Sequence, residues 1–413
     1  MFGKKLSGPR SASVLAAISV ALLMVSPQVA AQTVTVLYNF GDNPQNANVP
    51  YSGVIFDASG NMYGTAIGGG TFGQGSVFEL TPNGRGGWNE KVIHSFDNTG
   101  DGGYFPVNGL VMDSAGNLYG TTYYGGANGV GTAFELVHQP SGGWTGKLLH
   151  TFGGRNDGSN PHGTLIMDTS GNLYGTTLSG GVNRGGTVFE LSLRSGGWKE
   201  KVLYSFRGGP KDGSSVEAGI IFDSAGNLYG TTLAGGTSEG GVVYELSPAP
   251  TGFWKERILH NFANNTADGG NPQAGLIFDA AGNLYGTTVV GGANGEGTVF
   301  ELTPSPDETW TETVLHSFNN NATDGYLPTC SLMLDAAGNL YGTTNKGGLY
   351  SDGTVFELTP NGESWTETIV VPFNGTDGNA GNSNLLIDAA GDLYGTTLQG
   401  GSFGAGTLFQ IVP

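Results

Sequence analysis

The stretch Asp279-Ala280-Ala281-Gly282-Asn283-Leu284-Tyr285-Gly286-Thr287-Thr288 decides the fold, because near-copies of it recur along the whole chain. Consecutive copies begin 53 to 56 residues apart. Their first residues are Asp57, Asp113, Asp168, Asp223, Asp279, Asp335 and Asp388. A fixed period of this length indicates a repeat architecture in which each copy is one structural unit. The chain is therefore predicted to contain seven units.

Each unit contains four segments with the features of β-strands. In the fifth unit, the apolar run 275–278 is typical of a strand buried on both faces. Residues 279–282 form a predicted hairpin turn, since Asp accepts local backbone hydrogen bonds and Gly adopts a positive φ. The return strand 283–288 is rich in Tyr and Thr. Two more strands are predicted at 298–302 and 314–318, and no segment has helical periodicity.

Four-stranded units of this kind, repeated radially, predict an all-β fold, a seven-bladed β-propeller with antiparallel strands. A β-solenoid is the alternative, but it would use shorter coils and distinct terminal caps. A fourth-type strand at 34–40 comes first, and a third-type strand at 406–411 comes last. The N-terminal strand is therefore predicted to complete the last blade and close the ring, which leaves no unpaired edge.

The repeated phrases Leu-Tyr-Gly-Thr-Thr, Gly-Gly and Gly-Thr-Val-Phe-Glu-Leu resemble those of the Gloeo/Verruco (GloVer) tandem-repeat family of exported bacterial proteins. The hairpin part is also similar to the repeats of NHL-type propellers, where the equivalent strands are the inner pair of a blade. The resemblance covers all seven units and implies an exported bacterial protein. It implies no established activity and no catalytic residues.

The N-terminus has the features of a secretory signal peptide. Basic residues precede an apolar run at 14–25, and small residues end at Ala31. The apolar run is too short to span a bilayer. We therefore expect a signal peptide at 1–31, a single propeller domain at 32–413 beginning with Gln32, and a secreted or periplasmic location.

Composition excludes several classes of partner. The chain has 16 Lys and Arg against 34 Asp and Glu, a formal net charge of −18. It cannot neutralise the phosphates of a nucleic acid, and attraction to anionic lipid is not expected. No hydrophobic segment follows the N-terminal one, so we expect no membrane insertion and a soluble monomer. The single cysteine, Cys330, excludes an internal disulfide and is predicted to be a buried, inert thiol.

Several repeated residues are predicted to be structural. The turn aspartates have a local hydrogen-bonding role. One Trp in each of six units precedes the fourth strand, where it can pack on a neighbouring strand: Trp88, Trp144, Trp198, Trp254, Trp310 and Trp365. His94, His150, His260 and His316 share one repeat position with Tyr38 and Tyr204. Because that position accepts Tyr, we predict no metal site there.

The loop between the fourth strand and the next unit carries Asp-Gly in six units, at Asp101, Asp157, Asp212, Asp268, Asp324 and Asp377. In propellers this loop and the Gly-rich loop emerge on one face, where ligands usually bind. Asp-Gly is a turn signal, but oxygen-rich loops also suit Ca²⁺. Both interpretations stay open, and no other cofactor is expected.

Residues that break the repeat on this face are the other candidates for binding. They include four tyrosines, Tyr104, Tyr123, Tyr124 and Tyr326. Aromatic residues in loops are frequent in carbohydrate and peptide recognition. The first hypothesis is therefore a non-catalytic exported propeller that binds a glycan, a peptide or a cation through this loop face.

The second hypothesis is a secreted enzyme, a hydrolase or lyase acting on polysaccharide or peptide. A glycosidase needs two carboxyl groups about 5–10 Å apart, here at the mouth of the channel. The acidic residues that break the repeat are Glu217, Glu239, Glu296 and Asp352. The sequence shows no partner for any of them, and fold alone does not decide between the two classes.

Overall fold

The computed structural model describes residues 33–99, 102–249, 252 and 254–412. Within these ranges every regular element is a β-strand, and no helix is long and apolar enough to cross a membrane. The strands form seven antiparallel blades around a common axis, which confirms the predicted seven-bladed β-propeller. The predicted signal peptide and Asp101 lie outside the described residues.

Four strands lie side by side in each blade, and each strand pairs with the next one outward. The innermost strands are Ile55–Phe56, Val111–Met112, Ile166–Met167, Ile221–Phe222, Ile277–Phe278, Met333–Leu334 and Leu386–Ile387. The second strands are Met62–Gly69, Leu118–Thr122, Leu173–Gly180, Leu228–Thr232, Leu284–Thr288, Leu340–Thr344 and Leu393–Gln399.

The two outer positions of each blade hold longer strands. The third strands are Ser76–Pro82, Thr132–His138, Thr187–Arg194, Val242–Pro248, Thr298–Pro304, Thr354–Asn361 and Thr407–Val412. The outer strands are Trp88–Ser95, Trp144–Thr151, Gly197–Ser205, Trp254–Asn261, Trp310–Ser317, Ser364–Pro372 and, for the last blade, Thr33–Asn39.

A short lead-in strand, absent from the sequence prediction, precedes each innermost strand. The lead-in strands are Ala47–Pro50, Gly103–Tyr104, Gly158–Pro161, Gly213–Ser214, Gly269–Gly270, Gly325–Tyr326 and Asn379–Gly381. Each pairs with the far end of the second strand or with a short segment just after it. These segments are Tyr124–Gly125, Ala234–Gly235, Val290–Gly291 and Lys346–Gly347.

The N-terminal strand closes the ring as predicted. Thr33–Asn39 pairs antiparallel with Thr407–Val412, and Val34 lies opposite Ile411. Phe40, which follows the N-terminal strand, is completely buried. The last blade therefore has its full set of strands.

The hydrophobic core lies between neighbouring blades. A buried Phe after each outer strand contacts an aromatic ring on the third strand of the next blade, at centroid distances of 4.9 to 5.2 Å. The Gly of each Leu-Tyr-Gly-Thr-Thr phrase makes room for that ring. A Cβ on Gly286, for example, would lie 2.6 Å from Cζ of Phe300. Only glycine fits this position without moving a buried ring.

The turn aspartates have the structural role that the sequence predicts. Oδ1 of Asp279 accepts hydrogen bonds from the backbone N–H groups of Ala281 and Asn283, both at 2.8 Å. Its Oδ2 accepts from Nδ2 of Asn283 at 2.8 Å and from the Tyr285 hydroxyl at 3.2 Å. Because the carboxylate is occupied by its own hairpin, it is not available to a ligand.

The tryptophans and the cysteine also take structural positions. Trp144 and Trp198 make edge contacts with second-strand tyrosines of the preceding blade, with centroids 5.7 and 6.1 Å apart. Cys330 is buried, and burial raises the pKa of its thiol to about 11. The thiol is therefore protonated and unreactive near neutral pH.

Candidate functional site: a central cavity on the loop face

A cavity of about 290 Å³ lies where all seven blades meet. Its lining comes from the segments between each lead-in strand and innermost strand. The innermost strands run from this side of the molecule to the Asp-x-x-Gly turns on the opposite side. The cavity therefore opens on the face that carries the Asp-Gly loops.

The two kinds of loop emerge together on this face, as the sequence predicts. In the third, fourth and fifth blades, the second Gly of the Gly-rich loop donates its N–H to the carbonyl oxygen of the Asp-Gly aspartate. The distances are 2.6 Å to Asp157, 3.0 Å to Asp212 and 2.8 Å to Asp268. We call this side of the propeller the loop face.

One repeat position supplies a side chain to the cavity from every blade. It lies six residues before the turn Asp and is occupied by Tyr51, Val107, His162, Glu217, Gln273, Thr329 and Asn382. Seven different residue types fill one position of otherwise near-identical repeats. Apart from Glu217, none of them was a predicted site residue. Aligning the seven units would have singled out this position.

The residue that follows the variable position helps to hold the inner strands in place. In six of the seven blades, the first Thr of the Leu-Tyr-Gly-Thr-Thr phrase donates its hydroxyl to the carbonyl of that residue on the next blade. Thr65 reaches Asn108 O at 2.7 Å, and Thr176 reaches Ala218 O at 2.8 Å. This repeated bond between blades helps to fix the variable residues around the axis.

Neighbouring inner strands are in direct contact at the next position along the chain. Gly109 donates its N–H to Thr164 Oγ1 at 3.0 Å, and Gly275 donates to Ser331 Oγ at 3.0 Å. A Cβ on Gly53 would lie 2.5 Å from the Asn384 carbonyl oxygen. Small residues and glycines at this level therefore let seven strands meet around a narrow axis.

The cavity is polar and contains few charges. Among its described lining residues, Glu217 is the only carboxylate, and none is Lys or Arg. The Thr329 hydroxyl donates to Asn382 Oδ1, and Nδ1 of His162 lies 3.0 Å from Glu217 O. Burial raises the pKa of Tyr51, although its hydrogen bond to Asn382 acts in the opposite direction. The lining therefore offers mainly uncharged donors and acceptors.

Aromatic side chains of the second blade form a cluster beside the cavity. Tyr104 and Tyr124 are stacked with centroids 5.5 Å apart, and Tyr123 meets Tyr124 edge-on at 4.6 Å. Phe105 lies 6.1 Å from Tyr124. Tyr123 also contacts His162, a cavity residue, at 5.8 Å. We call these four residues, Tyr104, Phe105, Tyr123 and Tyr124, the aromatic cluster.

The structure thus brings together three of the four predicted tyrosines. Tyr326 lies instead on the lead-in strand of the sixth blade, where it packs against the core between the fifth and sixth blades. Tyr124 is 40% exposed and presents a ring to solvent. Tyr123 links the cluster to the cavity.

The Asp-Gly aspartates do not line the cavity. Asp212, Asp268, Asp324 and Asp377 are buried, and each accepts a backbone N–H of its own loop at 2.7 to 2.9 Å. Asp157 does the same with Gly158, at 2.6 Å. These five carboxylates therefore stabilise five separate loops, and each lies at a different interface between blades.

The carboxylates proposed for an enzyme do not come together. Glu217 lines the cavity, whereas Glu239, Glu296 and Asp352 lie in three different Gly-rich loops. Asp352 Oδ1 accepts a hydrogen bond from Asn379 Nδ2 at 2.8 Å. Within the described lining of the cavity there is no second carboxylate to pair with Glu217.

Comparisons with known proteins agree with the fold. The profile of the Gloeobacter/Verrucomicrobia repeat matches residues 23–232, 138–265 and 219–413. A search of curated proteins found no match.

Two solved structures with a similar fold are provisionally assigned as 6-phosphogluconolactonases. The one from Bacteroides uniformis is 16% identical, with a TM-score of 0.53, and the match covers 81% of this chain and 88% of that one. The one from Bacteroides fragilis is 14% identical, with a TM-score of 0.51, and the match covers 83% and 95%. At these identities the likeness shows a shared fold alone.

Proposed function

The chain belongs to the Gloeobacter/Verrucomicrobia repeat family, and we propose that this member is an exported, non-catalytic propeller that binds a neutral saccharide on its loop face. The observation that carries the proposal is the variable position: seven different side chains at one repeat position line one cavity. Where the fold requires a residue, these repeats keep it. A position that differs in all seven units is free of that requirement and available for recognition.

The chemistry of the cavity favours an uncharged, hydroxyl-rich ligand. Tyr51, Gln273, Thr329 and Asn382 supply hydrogen-bond donors and acceptors without charge. Ligand pockets usually measure about 300–1,000 Å³. At about 290 Å³ this cavity is at the small end of that range, so it suits one sugar unit rather than a long chain.

The aromatic cluster adds a second contact for the same ligand. Sugar rings have apolar faces that pack on aromatic rings, while a tyrosine hydroxyl can hydrogen-bond at the ring edge. Tyr124 is exposed, and Tyr123 reaches the cavity through His162. A saccharide of two or more units could therefore place one unit in the cavity and the next on Tyr124.

The activity assigned to the two structural neighbours is not proposed for this chain. The phosphate of a phosphorylated sugar lactone would require cationic partners, and none of the described lining residues is Lys or Arg. The single carboxylate Glu217 also lacks the partner that glycoside hydrolysis requires. Binding without catalysis is therefore the function that the cavity supports best.

A glycan array followed by titration calorimetry tests the proposal. The cavity variant Gln273→Ala/Asn382→Ala should weaken binding of the best neutral saccharide at least tenfold, because it removes two hydrogen-bonding side chains. The control variant, Phe72→Ala/Phe403→Ala, removes exposed rings at the tips of Gly-rich loops and should leave affinity unchanged. The Tyr124→Ala variant tests the aromatic cluster and should weaken disaccharides more than monosaccharides.

Three results would overturn the proposal. One is that no neutral saccharide binds. Another is that the best ligand is phosphorylated or otherwise anionic. The last is that the folded cavity variant binds as tightly as the unmutated protein, which would place the site elsewhere.

A further inference from the structure

Two clusters of His, Asp and Glu lie between blades. Each joins a His of one outer strand, the Asp of the following Asp-Gly loop and a Glu of the next outer strand. The clusters are His150, Asp157 and Glu200, and His316, Asp324 and Glu367. In each cluster one ligand atom from every residue lies within 4.8 Å of the other two.

The separations in the second cluster match those of atoms that share one metal ion. His316 Nε2 is 3.2 Å from Asp324 Oδ2 and 3.6 Å from Glu367 Oε1. Nitrogen and oxygen ligands lie about 2.0–2.2 Å from Zn²⁺, so tetrahedral neighbours are about 3.3–3.6 Å apart. In the first cluster, His150 Nε2 is 2.9 Å from Asp157 Oδ2. The second cluster could therefore close around a small cation with little movement, and the ligand atoms of the first cluster lie within 4.8 Å of one another.

The buried carboxylate oxygens provide a second, independent observation. Asp324 is only 7% exposed, and its Oδ1 has no hydrogen-bond partner among the described residues. Oε1 of Glu367 and of Glu200 also lacks a hydrogen-bond partner, as does Oε1 of Glu256 and of Glu312 at interfaces without such a cluster. Among the described Asp-Gly aspartates, only Asp324 has a buried oxygen without a partner. Buried carboxylate oxygens are normally paired or coordinate a metal, so Asp324 Oδ1 points to a missing partner.

Other blade interfaces show that the fold does not require the histidine. Tyr204 occupies the same repeat position and places its hydroxyl 3.3 Å from Asp212 and 3.1 Å from Glu256. At another interface the position holds Val371, and Val34 replaces the glutamate. The sequence predicted no metal site at this position because it also accepts Tyr, but the structure groups each of these two histidines with an Asp and a Glu that the repeat position alone does not reveal. The His side chain therefore adds a nitrogen ligand to interfaces that the fold can build without it.

We propose that these two clusters are inter-blade sites for a first-row divalent cation of the Zn²⁺ type. One imidazole and two carboxylates form a mixed set of three protein ligands, which leaves a fourth position for water. The side chains of His150 and His316 are 22% and 19% exposed, so water and metal can reach them. Ca²⁺ is disfavoured because it prefers oxygen ligands alone. This proposal does not depend on saccharide binding.

Metal content and titration test the proposal on untagged protein treated with a chelator and then dialysed. We expect two Zn²⁺ ions per chain by titration calorimetry, and Co²⁺ should give the visible absorption of a tetrahedral site. The His316→Tyr variant should bind one ion, and His150→Tyr/His316→Tyr should bind none. Tyr occurs naturally at this repeat position, so the variants are expected to fold, which circular dichroism checks.

A third His provides the matched control. His260 Nε2 lies 3.3 Å from both oxygens of Asp268. Glu312 of the next outer strand is also near this pair, but the three residues do not bring their ligand atoms within 4.8 Å of one another. The His260→Tyr variant should therefore still bind two ions. Zn²⁺ should also raise the melting temperature of the unmutated protein but not of the double variant. Absence of Zn²⁺ binding, or an unchanged stoichiometry in the folded double variant, would overturn the proposal.

Discussion

At the scale of single residues, a carboxylate and an amide have exchanged positions in the last blade. Six third strands carry Glu at the position of Gln410, and six hairpins carry Asn at the position of Asp392. In the last blade both residues differ, and Gln410 Nε2 donates to Asp392 Oδ2 at 2.7 Å and to the Tyr394 hydroxyl at 3.1 Å. The carboxylate and the amide have changed places, so the site still holds one carboxylate and one amide.

This exchange predicts a compensating pair of mutations. Gln410→Glu should lower the free energy of unfolding by about 1–3 kcal/mol, because a partly buried carboxylate would face Asp392 and lose a hydrogen bond. Adding Asp392→Asn restores the arrangement of the other six blades and should recover most of the loss. Urea unfolding of the two single variants and the double variant measures the coupling. Additive effects would show that the two side chains do not interact.

At the scale of whole strands, the interface between the third and fourth blades contains a buried acidic pair. Glu256 on one outer strand faces Asp212 and Tyr204 of the preceding blade. Burial, and then the charge of Asp212, raise the pKa of Glu256 to about 8, and Arg207 opposes this shift. Protonated Glu256 can donate a hydrogen bond to Asp212, so at neutral pH this strand keeps a proton on Glu256 next to the Asp212 loop.

The raised pKa predicts a pH dependence of stability. The folded state holds a proton on Glu256 that the unfolded state releases above its ordinary pKa of about 4.5. The contribution of Glu256 to the free energy of unfolding is therefore fully present below pH 4.5 and is lost as the pH rises through about 8. Because the side chain retains some contact with solvent, we expect an effect of about 1–2 kcal/mol.

The Glu256→Gln variant isolates this contribution. Its amide stays uncharged and can still bond to Asp212 and Tyr204. The unmutated protein should melt at a higher temperature than the variant at pH 5 and at a lower temperature than the variant at pH 9. Melting curves between these values measure the difference, and a difference that does not vary with pH would contradict the proton held on Glu256.

At the scale of the whole molecule, stability depends on a ring that only the N-terminal strand completes. Thr33–Asn39 covers the edge of Thr407–Val412, and Phe40 packs on Phe78 of the first blade at 5.0 Å. The strand therefore joins the two ends of the chain. Every blade then has a neighbour on both sides.

Deletion of residues 32–40 should open the ring. It removes a fully buried Phe, worth about 1.5–3 kcal/mol for its burial alone, and exposes a strand edge that can pair with other chains. We expect a lower melting temperature and concentration-dependent aggregation, measured by calorimetry and light scattering. A protein that begins at Gln32 is the control. Equal melting temperatures for the two would contradict closure by this strand.

The sequence by itself determined the features that depend on short-range contacts. The period of 53 to 56 residues, the alternation of strands and turns and the Asp279-type hairpins all involve neighbours within one unit. Such contacts leave a pattern that repeats seven times, so blade number, strand order, the packing role of the Trp residues and the burial of Cys330 could be predicted. Ring closure followed from the types of strand at the two ends.

Only the tertiary structure decided which residues meet across blades. Tyr51 and Asn382 are separated by almost the whole propeller in sequence, yet both line the central cavity because the ring closes. Likewise His316, Asp324 and Glu367 belong to two different blades and meet only when those blades pack. The sequence left Asp-Gly open as either a turn or a cation or ligand site, and the structure buries four of its aspartates. The physical reason is that these sites are built from side chains about one repeat or more apart, whose proximity is set by how neighbouring blades pack rather than by any local pattern.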